Sequence, residues 1–284
     1  MVYLMITYVV IAAFAGVVAL LFYRRTRWHH RTRELRSRIL SAEEPPGKRY
    51  DPAECAELPA PVKRYLERVL TEGQEPIASV EMAQTGSFNM SETGETWRPF
   101  DAEQLVLTRR PGFLWHAKMR VLPGFSVRVH DAYPLGEGVL TVSLLGAVTI
   151  AEMRDEESVA QGELLRFLAE AAWYPTALLP GPSLAWSPVD DRSAIATLAD
   201  REVQVSLLFR FSEDNLIDSV RAEARGRSVG GKTIPTPWEG RWQEYEPRNG
   251  MLVPTKGEVA WLLPEGRKPY WRGRVTEIQY RFAK

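Results

Sequence analysis

A single cysteine, Cys55, and four histidines in 284 residues leave little material for redox or metal chemistry. One thiol excludes an intramolecular disulfide and a cysteine-based zinc site. His29 and His30 sit among arginines, and His116 and His130 could meet Asp131 or Glu163 but have no characteristic ligand spacing. Neither a metal nor a cofactor is therefore expected. There is no G-x-S-x-G elbow and no Cys/His arrangement to supply a nucleophile. Net charge is also lacking, with 36 basic residues against 36 acidic ones.

That zero hides an asymmetry. Val2 to Tyr23 contain no charged side chain over 22 residues, and seven arginines follow: Arg24, Arg25, Arg27, Arg31, Arg33, Arg36 and Arg38. With Glu34 the flank carries net +6, and removing it leaves 29 basic and 35 acidic residues, net −6, for the remainder. A mildly acidic remainder argues against nucleic acid as a partner. At about 1.5 Å per residue the uncharged run spans roughly 33 Å, enough for a bilayer core. The positive charge follows the apolar run, and Phe22-Tyr23-Arg24-Arg25 is a poor cleavage site, so an anchor is expected rather than a signal peptide. The positive-inside rule then puts everything after Tyr23 on the cytoplasmic side of the cell membrane. The seven arginines are candidates for anionic headgroups.

Three regions are expected: a transmembrane helix over 1–23, a basic flank and linker over 24–57, and one β-rich domain over 58–284. Glu43-Glu44-Pro45-Pro46-Gly47 reads as linker, and Pro61 opens a short helix whose Val62, Tyr65, Leu66, Val69 and Leu70 share a face. From Ile77 the period becomes two. Val203, Val205, Leu207, Phe209 and Phe211 alternate, Asn249-Gly250 is a two-residue hairpin turn, and about ten strands are expected. One helix interrupts them: Ser158-x-x-Gln161 reads as a capping box opening Gly162–Trp173, whose apolar face is wide enough to be half enclosed by a curved sheet.

Gly226-Arg-Ser-Val-Gly-Gly231-Lys232-Thr233 matches the phosphate-loop pattern literally. Such a loop must open a helix, and Ile234-Pro235-Thr236-Pro237 cannot, so a glycine-rich hairpin is the better reading. Glu163 and Glu170 lie two helical turns apart with Arg166 between them, the spacing of an exposed salt-bridge ladder. Nine tryptophans fit either a solid aromatic core or the lining of a greasy pocket.

Several segments carry a resemblance. Leu58-Pro-Ala-Pro-Val-Lys-Arg-Tyr-Leu-Glu-Arg68, Trp97-Arg-Pro-Phe100, Pro111-Gly-Phe-Leu-Trp115, Gly162 through Pro180 and Thr236-Pro-Trp-Glu-Gly240 resemble a bacterial family of membrane-anchored proteins with no assigned activity. The likeness covers about Leu58 to Phe282 and transfers no catalytic residue. Its strand pattern around one helix is similar to lipoprotein-carrier folds, which implies a half-open barrel over an apolar cavity.

The expected fold is mainly β (α+β): a transmembrane helix, then a curved antiparallel sheet or half-open barrel wrapped around one central helix. The first functional expectation is binding of a lipid or other apolar ligand near the bilayer, lined by Phe113, Trp115, Phe167, Trp173, Trp238 and Trp242. The second is an enzyme on a membrane-derived substrate, with Glu163, Glu170, His116 and Asp131 as catalytic candidates. The third is a structural or interaction protein with a solid core and no ligand.

Overall fold

The computed structural model describes residues 2–42, 47–91, 94–154 and 157–283; residues 43–46 of the expected linker lie outside them. The N-terminal run is helical, but its helix does not end at the arginines. Helix α1 covers Val2–Leu40 without a break, because no proline or glycine lies between Gly16 and Leu40 and the flank is rich in good helix formers. The side chains of its apolar part are exposed, and that part is long and apolar enough to cross a membrane. Trp28, Leu35 and Ile39 fall on one face at i, i+7 and i+11 and are buried. The basic flank after Tyr23 is thus part of a docked helix.

Helix α2 (Ala60–Val69) follows, then strands β1 (Ile77–Asn89), β2 (Trp97–Leu107), β3 (Gly112–Leu122), β4 (Phe125–Tyr133), β5 (Val139–Leu144) and β6 (Val148–Arg154). Helix α3 (Glu157–Ala169) comes next, extended by tight turns at Glu170–Trp173 and Pro175–Leu178. Strands β7 (Leu184–Asp190), β8 (Ser193–Asp200), β9 (Val203–Phe211), β10 (Ile217–Val229), β11 (Lys232–Arg248), β12 (Met251–Leu263) and β13 (Gly266–Phe282) complete the chain. The sheet has thirteen strands, rather than about ten, in the order β6-β5-β4-β3-β2-β1-β13-β12-β11-β10-β9-β8-β7. Two meanders are therefore joined by the antiparallel β1–β13 pair. The edge strands β6 and β7 do not pair with each other, so the sheet curves without closing.

Alternation puts one side of each strand inside. In β9, Val205, Leu207, Phe209 and Phe211 are buried, each worth about 1.5–3 kcal/mol of apolar burial. Helix α3 lies on the inner face against β9, β10, β4 and β5, bridging the two arms of the sheet. It starts at Glu157, and the Gln161 amide donates to Glu157 Oε1 at 3.0 Å. Ser158 is therefore within the first turn and not the cap the sequence suggested. On the opposite face, Leu35 and Ile39 of α1 pack on Leu105, Leu107, Leu114, Ala132 and Val139.

Candidate functional site

The sheet and α3 enclose a chamber of about 480 Å³. Its apolar wall is Met119, Val127, Val129, Leu140, Val142 and Met153 on β3–β6, facing Val159, Gly162 and Glu163 of α3. Phe88, Trp115, Asp131, Arg225 and Tyr270 also border a deeper recess of about 90 Å³, walled by Trp173, Trp238, Trp242 and Trp271. The Trp173 and Trp242 rings meet edge to face with centroids 4.8 Å apart.

A row of glycines makes room for these rings. Gly86, Gly273 and Gly257 are directly paired across β1, β13 and β12. A Cβ on Gly273 would come within 2.3 Å of the Trp271 ring, and one on Gly257 within 2.6 Å of the Trp242 ring. Indoles can lie flat against the sheet only where side chains are missing.

Polar groups are buried beside the aromatics. Arg166 donates to Asp131 Oδ2 at 2.6 Å and to Glu170 Oε1 at 2.7 Å. Its guanidinium also lies over the Phe113 and Trp115 rings, at 4.9 and 5.1 Å. Glu170 accepts from Gln104 at 2.6 Å, Gln104 from Gln84 at 3.1 Å, and Gln84 from the Trp115 indole at 2.9 Å. This chain fixes the carboxylates in an interior where an unpaired charge would be costly. Burial disfavours the charge on Arg166, but Glu170, Asp131 and Glu163 outweigh it and raise its pKa.

Glu163 and Glu170 are only 6% and 8% exposed. The solvated salt-bridge ladder expected from their spacing is therefore corrected to an internal cluster, because the narrow polar stripe of α3 faces the chamber floor. Burial first, and then the Asp131 charge, push the Glu163 carboxyl well above the usual range against the opposing pull of Arg225 and Arg166. Asp131 Oδ1 and Glu163 Oε2 are both buried with no donor from another residue. A proton held by Glu163 and donated to Asp131 satisfies both oxygens. Arg225 borders chamber and recess, lies 5.0 Å over the Trp238 ring, and donates to Tyr270 Oη at 3.4 Å. Among the described residues it has no carboxylate within salt-bridge distance.

The candidates named from the sequence separate into groups. Trp115, Trp173, Trp238 and Trp242 wall the recess, Asp131 and Glu170 reach its margins, and Glu163 borders the adjoining chamber. Phe113 and Phe167 do not line it. Phe113 is fully buried beneath Arg166, and Phe167 packs against Tyr174, whose hydroxyl donates to the Phe167 carbonyl. His116 is excluded from the cluster because strand parity sends it to the other face, under α1. There it pairs across the ladder with His130, accepts from the Trp28 indole at 3.4 Å, and leaves His130 stacked on Trp28 at 3.9 Å. Neither histidine reaches Asp131 or Glu163 in a metal-binding group, and the described residues hold no such cluster. Arg225, Tyr270, Gln84 and Gln104 were not singled out from sequence. The readable sign of the glutamines was a polar residue at an inward position of a strand, as in Val80-x-Met82-x-Gln84.

The phosphate-loop match is a hairpin. Gly230 and Gly231 take positive φ, 56° and 77°, between β10 and β11. No helix N-terminus follows, so the amides of a phosphate cradle are missing.

These features define an open-sheet protein with one helix closed over an aromatic, internally charged cavity. The chain belongs to the family of unknown function DUF6920, whose model matches residues 56–280. No curated protein matches it. Among solved structures it is similar to a LolA superfamily protein from Nitrosomonas europaea, at 11% identity and a TM-score of 0.34, over 80% of this chain and 94% of that one.

Proposed function

We propose that this is a single-pass membrane protein whose β-rich domain, residues 58–284, binds a lipid or another apolar ligand close to the bilayer. The observation that carries the reading is the chamber of about 480 Å³ with its tryptophan-walled recess, of a size and character suited to an apolar ligand. An apolar tail fits the Met119–Val142 wall, and a polar or anionic end fits Arg225, which among the described residues has no carboxylate within salt-bridge distance.

The anchor is the exposed apolar part of α1, and its continuity with the docked Trp28–Ile39 segment argues for retention rather than cleavage. The positive-inside rule puts the domain on the cytoplasmic side. Headgroup contact belongs to Arg24, Arg25 and Arg27. Arg31, Arg36 and Arg38 are paired with Glu152, Glu81 and Glu137 of the sheet, and Arg38 lies about 22 Å along the helix beyond Tyr23.

Native mass spectrometry of the detergent-extracted full chain tests this reading. A co-purifying species of lipid mass is expected, reduced in Val129→Trp, which fills the chamber. Ligand-free spectra from wild type, in every detergent used, would leave the solid-scaffold reading in its place. A second reading, catalysis on a membrane-derived substrate, draws on the Glu163–Asp131 pair, in which one carboxyl keeps a proton beside an ionised neighbour. Turnover of the co-purified species by wild type and not by Glu163→Gln would select it.

A further inference from the structure

The register of the sheet gives the domain two unlike ends. The β1–β2, β3–β4, β5–β6, β8–β9, β10–β11 and β12–β13 hairpins all turn at one end. The chamber opens there too, since Met90, Ser91, Arg227 and Ser228 border it. The apolar part of α1 points the same way. Ile39 lies beside Gly112 at the start of β3, and Trp28 lies beside His116 four residues further on, so α1 runs antiparallel to β3. From Trp28 back to Tyr23 is about 8 Å of helix, whereas His116 to the β3–β4 turn at Leu122 is about 20 Å of strand. The turn therefore reaches the level of the apolar run.

Exposed apolar side chains are segregated to the same end. Among the described residues beyond α1, the large ones are Met90, Leu122, Phe125, Val148, Ile150, Ile234 and Val189, and of these only Val189 lies at the far end. Leu122 and Phe125 flank a two-residue turn closed by Gly124 at φ 78° and are 62% and 51% exposed. Such tips are costly in water and suited to a bilayer interface.

We propose that this end of the domain sits on the bilayer that α1 spans, with Leu122 and Phe125 inserted beside the anchor and the chamber mouth facing the lipid. The occupant is the bilayer because the surface is continuous with the apolar helix. A ligand would then pass from membrane to chamber without crossing water. The proposal rests on α1 being a membrane span.

The test places one polarity-sensitive fluorophore at a time on full-length protein reconstituted into phosphatidylcholine vesicles with 20–30% (~) phosphatidylglycerol, in the anionic-leaflet regime. The sites are Phe125→Cys, Val189→Cys and Ala12→Cys, and the parent chain, whose Cys55 is buried, serves as labelling blank. Quenching of the Phe125 label by shallow nitroxide lipids, several-fold above that of the Val189 label, is expected, with the Ala12 label quenched by deep nitroxide lipids. An Ala12 label open to aqueous iodide would overturn the anchor. With Ala12 protected, a Phe125 label that is iodide-accessible overturns the docking alone. So does one shielded from both iodide and lipid nitroxide, which would indicate a second copy of the chain on this surface.

Discussion

A single residue separates Gln161, whose amide binds Glu157 at the surface, from Glu163, whose carboxyl is enclosed with Asp131. Glu163 is held protonated by burial and by its neighbour, so its folded pKa exceeds the unfolded value, near 4.5. The folded state then retains a proton that the unfolded state has released. Wild type should lose stability relative to Glu163→Gln as pH rises from about 4.5 until Glu163 ionises, by at most about 1.4 kcal/mol per pH unit. Glutamine keeps a donor toward Asp131, so urea midpoints of the two proteins should coincide near pH 4 and separate above it. Parallel curves across that range would mean that the proton is not there. Gly273 sets the other residue-scale limit. A methyl at Gly273→Ala must displace the Trp271 ring, and overpacking of this kind costs about 1–3 kcal/mol. A lowered denaturation midpoint with altered tryptophan emission is expected, and an unchanged midpoint would show that the ring can move aside.

Among the elements, α1 and the hairpins show what could be read from the chain and what could not. Period-two alternation located β9, and Asn249-Gly250 located the β11–β12 turn, because these signals are local. The docking of α1 was hidden: its buried Trp28, Leu35 and Ile39 are separated by arginines, and a seven-then-four spacing amid charge reads as a polar flank. Strand parity could separate His130 from Asp131, but not reveal that a helix covers the histidine side. The same blindness applies to Glu163 and Glu170, since a narrow polar stripe looks alike whether it faces water or an internal cluster. The histidines should make α1 docking pH-dependent. Burial, then Arg128 and His29, holds His116 down at about 4; burial, then His116, Arg31, Arg128 and His29, holds His130 down at about 3. Both folded values are lowered, so the stabilisation is complete above the unfolded pKa of 6.5. It is lost as pH falls from there toward 4, by up to about 1.4 kcal/mol per pH unit for each ring. Tryptic cleavage within residues 24–38 should accelerate at pH 5 relative to pH 7.5, after correction for trypsin's own activity. His130→Phe keeps a ring for Trp28 without a titrating nitrogen and should weaken that dependence; an identical pH profile would discard the histidine mechanism.

At the scale of the molecule, α1 serves two environments at once, bare and apolar in its first part and a member of the folded domain in its second. These parts predict opposite results from two truncations. Removing residues 1–23 takes away side chains that are exposed along the described part of α1 and should leave the urea midpoint of the sheet within experimental error. Removing residues 1–40 also strips Trp28, Leu35 and Ile39 from the outer face of β2–β4. Leu105, Leu107 and Leu114, buried in the whole protein, would then meet water. At about 1.5–3 kcal/mol for each large apolar side chain withdrawn, the loss is on the order of 5 kcal/mol, a large share of the stability of an ordinary domain. The longer truncation should therefore aggregate or unfold at a much lower urea concentration, as followed by circular dichroism and size-exclusion chromatography. Equal midpoints for the two truncations would mean that the helix merely rests on the sheet. With α1 as the proposed membrane span, a domain whose folding requires the second part of that helix would not swing on a tether, and that rigidity would hold the chamber mouth at one height above the lipid.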